Sequence, residues 1–116
     1  MKAYTDIEQS KKLAEILPIE TADMKWYFWK SEIDAPKLPT FGYSKTAAES
    51  YKDTEAVYLA CWSFVALLRV LPSSTLDISD DHYCRLHCME RFTEWYDNAI
   101  DAAFEMIIKL HELNLL

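Results

Sequence analysis

Apolar positions follow several rhythms along this chain, and each rhythm predicts a different element. Thr5-Asp6-Ile7-Glu8 has the spacing of a capping box, with the Thr5 hydroxyl placed for the Glu8 amide. Ile7, Leu13, Ala14, Ile16 and Leu17 then draw one apolar stripe, a predicted helix that Pro18 stops because its ring cannot continue the hydrogen-bond ladder. Met24 to Trp29 is aromatic on both alternating sets, which favours a strand with Trp26 and Phe28 on one face and Tyr27 and Trp29 on the other. From 31 to 55, Pro36, Pro39, Gly42 and scattered polar residues break every period, so a long irregular excursion is expected, with a helical turn near Thr46 to Tyr51.

The run Val57 to Leu71 is apolar all round, interrupted by Ser63 and Arg69 and closed by Pro72-Ser73-Ser74. This predicts a middle helix buried on most sides, with Leu67 and Leu68 in the core. Leu76 to Tyr96 reads two ways. As strands, Leu76 and Ile78 lead into an Asp80-Asp81 turn, after which Cys84, Leu86 and Cys88 share a face. As a helix, Cys84, Cys88, Phe92, Trp95 and Ala99 form a stripe. In the last element, Asp97 or Asn98 caps a predicted helix. Ile100, Ala103, Phe104, Ile107 and His111 line one of its faces, and Asp101, Glu105, Lys109 and Glu112 a narrow opposite strip.

Assembled, these elements predict an α+β fold in one globular domain over 1–116: N-terminal helix, aromatic strand, buried middle helix, β-hairpin, and a C-terminal helix packed on the sheet. All-α is the alternative. A chain of 116 residues buries roughly two-thirds of its unfolded surface, enough for a core without disulfide or metal staples. One glycine, Gly42, rules out the glycine-rich loops of P-loop and dinucleotide-binding proteins, so no cofactor is expected. Twelve basic against nineteen acidic residues leave a formal charge of −7. The bases are scattered, so no electrostatic footprint for nucleic acid exists. An acidic DNA mimic, kept as one alternative, needs carboxylates packed along a face, and these are diluted by bases. The longest apolar run reaches about 22 Å as a helix, short of the roughly 30 Å of a bilayer core, so no membrane partner is expected. Three cysteines cannot all pair, which suits a reducing cytoplasm.

Three stretches carry a resemblance: Thr5 to Leu17 with Thr21 to Met24, Cys61 to Pro72, and Asp97 to Leu116. In order, over roughly half the chain, they resemble a group of small uncharacterised proteins of Bacteroides-type gut bacteria and of their phages and mobile elements. The resemblance implies an accessory protein of such an element and transfers no catalytic or binding residue. It also implies a hairpin before the last helix, where that group often has turn glycines; here Asp80-Asp81 and Glu90-Arg91 stand at the expected turns.

The densest set of metal-ligating residues is His82, Cys84, His87 and Cys88. Zinc wants four N or S ligands in a tetrahedron, but on a strand His87 points away and on a helix His82 drops out. The simpler reading is of buried cysteines acting as small apolar residues, with no metal bound. A small metal-binding or catalytic domain around Cys84 and Cys88 is the alternative function. Asp77-Ile78-Ser79-Asp80-Asp81 fails as a calcium loop, since the sixth and twelfth positions are His82 and Cys88 in place of Gly and Glu. No serine has the flanking glycines of a nucleophile elbow, Cys61 lies in an apolar run, and the carboxylates from Glu90 to Glu105 read as a solvated face, so no catalytic residue is assigned. His111 reads as a core-edge histidine near a helix C-terminus.

What remains is surplus aromatic surface. A core on one side of the aromatic strand cannot cover Trp26, Tyr27, Phe28 and Trp29 together. The function expected is therefore a non-enzymatic interaction module that pairs with itself as a homodimer, or with a host protein, through these residues.

Overall fold

Two antiparallel sheets, each of three strands, and four α-helices make this an α+β protein. The computed structural model describes residues 2–32, 34 and 37–116; Pro36 of the expected excursion lies outside them. The chain divides into two compact units, one formed by Asp6–Trp62 and the other by Met1–Thr5 with Ser63–Leu116.

In the first unit, helix α1 (Ile7–Ile16) starts one residue later than the Thr5 box predicts. Thr5 is fully buried. An overlapping box takes its place: the Asp6 carboxylate accepts from the Gln9 N–H at 2.7 Å, and the Gln9 side chain accepts from the Asp6 N–H at 3.1 Å. Leu13 of α1 and Leu17 at its C-cap are buried, and α1 packs against strand β3 (Ala56–Cys61). The aromatic strand is strand β1 (Met24–Trp29), central in the order β2-β1-β3, with Met24 opposite Cys61 and Trp29 opposite Ala56. The excursion contains regular elements: strand β2 (Thr40–Phe41) pairs with β1, and helix α2 (Lys45–Ser50) is capped by the Ser44 hydroxyl, which accepts from the Ala47 N–H. Trp62 closes the unit, its indole N–H donating to Thr21 Oγ1 at 2.9 Å with no surface exposed.

The middle helix is not one helix. Its first half is β3, and its second half is the short helix α3 (Phe64–Val70). Both alternating sets of β3, Ala56-Tyr58-Ala60 and Val57-Leu59-Cys61, lack charged residues, so the strand loses the apolar-polar alternation that marks half-buried strands and its sequence reads like that of a buried helix. Ser63 is the division, its hydroxyl accepting from the Ala66 N–H at 3.2 Å as the cap of α3. Leu67 is fully buried, but Leu68 is 36% exposed, contrary to the expectation that both lie in the core.

In the second unit the strand reading of 76–96 holds. Strands β4 (Ser74–Ile78), β5 (Cys84–Cys88) and β6 (Arg91–Phe92) lie in the order β4-β5-β6. Helix α4 (Ala99–Glu112) packs on β5 and on α3. Asn98 caps α4 by accepting from the Asp101 N–H at 2.8 Å. The buried face of α4 is Ile100, Ala102, Ala103, Met106, Ile107 and Leu110; His111 falls outside it and is exposed.

Candidate functional site

The outer face of the first sheet carries a connected group of five aromatic rings. Strand alternation sends Trp26 and Phe28 inward, 6% and 7% exposed, and Tyr27 and Trp29 outward, 40% and 49% exposed. Of the four residues expected at an interface, only Tyr27 and Trp29 therefore face solvent. Register then decides their neighbours: Tyr58 of β3 lies directly opposite Tyr27 on the same face.

Tyr51, at the C-cap of α2, completes the centre. Its ring stacks on Tyr58 with centroids 5.7 Å apart and planes 18° apart, and meets Tyr27 edge-on at 5.0 Å. Tyr43 extends the row from the other side of Tyr58 at 5.4 Å, and Trp29 extends it from Tyr27 at 6.4 Å. The Ser44 N–H donates to Tyr58 Oη at 3.0 Å, which fixes the ring against the start of α2, and Lys25 Nζ lies 5.9 Å from the Tyr58 centroid. Two of the phenols are shifted. The hydrogen bond with Tyr51 pushes Tyr27 above its ordinary pKa, and loss of solvent followed by the nearness of Tyr58 pushes Tyr43 up. Beside the row is a cleft of about 390 Å³ walled by Tyr51, Tyr58, Lys30, Lys52 and Asp53.

Sequence reasoning found Tyr27 and Trp29 and missed Tyr43, Tyr51 and Tyr58. Tyr58 sat in the run read as helix, and Tyr51 in the excursion. The signal available was the strand-like string Ala56-Val57-Tyr58-Leu59 ahead of Ser63, which places Tyr58 on the face of Tyr27 once paired with β1.

The four candidate metal ligands are dispersed over one hairpin. Cys84 and Cys88 are buried on one face of β5, and His87 is on the other, stacked flat on Phe92 with centroids 4.2 Å apart. His82 is not in the strand at all. It is exposed in the β4–β5 turn at φ 65°, where a three-residue loop takes a left-handed residue, and its N–H donates to the Ser79 carbonyl at 2.9 Å. Among the described residues, no three of His, Cys, Asp and Glu are grouped to hold a metal. The Cys88 thiol donates to the Pro72 carbonyl at 3.7 Å, and burial raises its pKa, which opposes thiolate chemistry.

The expected solvated strip on α4 is partly structural. Glu105 accepts from Tyr96 Oη at 2.9 Å and from the Glu94 N–H at 3.0 Å, tying α4 to the segment after β6. On the outer face of the second sheet, the Arg85 guanidinium lies 4.3 Å from the Phe92 ring and 4.6 Å from that of Trp95, and its Nε pairs with Asp77 at 3.0 Å. Among the described residues, no helix is long and apolar enough to cross a membrane. No family model, curated protein or solved structure matches the chain.

Proposed function

We propose that the protein is a non-enzymatic interaction module that docks another protein against the tyrosine-bearing outer face of its first sheet. The observation that carries this reading is the unbroken ring contact from Trp29 through Tyr27, Tyr51 and Tyr58 to Tyr43, with its most exposed members near half-open to solvent. Tyr and Trp supply large contact area at low conformational cost and dominate the energetics of protein interfaces. Phenol hydroxyls around the rings add adaptable hydrogen bonding. A net charge of −7 favours a protein over a nucleic-acid partner. The resemblance to mobile-element proteins fits an accessory role in the cytoplasm, with a host protein as the occupant.

A photo-crosslinking side chain placed at Trp29 in living cells tests this reading, with the exposed position Glu15 of α1 as the control. The expected result is one protein captured from position 29 and not from position 15. Equal or no capture from both positions contradicts it.

A further inference from the structure

Strand β4 ends its sheet, and among the described residues no strand pairs along its free side. The backbone groups on that side follow from the ladder. Cys84 exchanges hydrogen bonds with Tyr96 at 2.6 and 2.7 Å, and the Leu86 carbonyl accepts from the Thr93 N–H at 2.9 Å, so both residues of β5 spend their backbone groups toward β6. Their partners across β4 are Ile78 and Leu76, with Ser74 in the same phase opposite Cys88. In an antiparallel ladder such residues turn N–H and C=O away from the shared strand. Ser74, Leu76 and Ile78 therefore present a row of donors and acceptors at the sheet edge, and no hydrogen bond from elsewhere in the described residues reaches that row.

Natural sheets blunt such an edge with a lysine, a proline or a bulge. Ser-Thr-Leu-Asp-Ile contains no lysine or proline, its register with β5 is continuous, and its one charge, Asp77, is held by Arg85. We infer that this edge is a self-pairing surface: β4 of one copy adds antiparallel to β4 of a second about a twofold axis at Leu76, joining two sheets into one. The second copy is the occupant because the strand complements itself. In that register every outward N–H meets a C=O, Ser74 faces Ile78 of the second copy, and the Thr75 hydroxyl faces the Asp77 carboxylate that accepts from it. Antiparallel pairing also sends the two acidic turns, Asp80-Asp81, to opposite ends, each beside the other copy's Pro72 and Ser73. A parallel arrangement sets those like charges side by side.

Sedimentation equilibrium at about 100 μM, well above a dissociation constant of ~1 μM, tests the inference, with folding followed by circular dichroism. The parent is expected to be a dimer. Thr75→Asp, at an exposed position, sets carboxylate against Asp77 twice across the axis and weakens the dimer about tenfold or more. Thr75→Lys faces the same carboxylate and keeps or tightens it. Ile78→Pro removes an outward N–H at a residue 62% exposed and dissociates the dimer without costing a bond to β5. Tyr27→Ala leaves the dimer intact while abolishing capture through the tyrosine face. A monomeric parent overturns the inference, as does a dimer indifferent to Thr75→Asp, or one that Tyr27→Ala dissolves. Should Ile78→Pro unfold, the opposed effects of Asp and Lys at position 75 decide.

Discussion

Tyr96 shows how one side chain can be placed by its neighbours. Burial first, then the hydrogen bond to Glu105 and the nearby carboxylates of Asp101 and Glu94, push its pKa up from 10.0 to about 12. The folded state holds this proton more tightly than the unfolded one. The resulting stabilisation is whole below pH 10 and is lost as pH climbs from 10 to about 12. Phenolate absorbance on alkaline titration is expected to show a last step near pH 12 that Tyr96→Phe removes; a variant that titrates like the parent contradicts the assignment. Backbone strain is equally local. His82, Met89 and Glu90 hold φ of 65°, 53° and 63°, and the last two form the whole connection between β5 and β6, a two-residue turn of the kind that favours Asn-Gly. Replacing Glu90 by Gly relieves a conformation that side chains resist and is expected to stabilise by about 0.5–1 kcal/mol in denaturant unfolding.

At the scale of elements, the end of α1, the start of α4 and the aromatic strand were legible because each has a local chemical cause: a proline, a cap, an alternation of rings. The hairpin was legible in its face pattern, since Cys84, Leu86 and Cys88 share the buried side as strand spacing requires. Its turns lack glycine and use strained residues in its place, which blurred it against a helix. The division of 57–71 was not legible from periodicity, because both alternating sets of β3 lack charge and only Ser63 separates it from α3. The tyrosine face was half legible for the same reason: Tyr58 joins Tyr27 only when 56–61 is a strand in the observed register. The corrected element makes a specific prediction about two adjacent leucines. Leu67→Ala, at a fully buried site, is expected to cost about 2–5 kcal/mol, whereas Leu68→Ala, at a site 36% exposed, costs less than about 1 kcal/mol. Equal losses in chemical unfolding would return the segment to an all-buried helix.

For the whole molecule, what the chain offers a partner is surface: a tyrosine row in one unit and an open strand edge in the other, on a body of net charge −7. Ser63 serves as a cap, Cys84 as a core position, His82 in a turn and His87 in a ring stack. The association proposed above is directly weighable. Native mass spectrometry of the protein isolated from the cells that make it is predicted to give a mass of two copies plus a second, different protein. That second protein is lost in Tyr27→Ala and in Trp29→Ala, while the pairing of copies survives. A parent that flies as the bare 13.6 kDa chain, or a companion protein retained undiminished by both variants, contradicts the account.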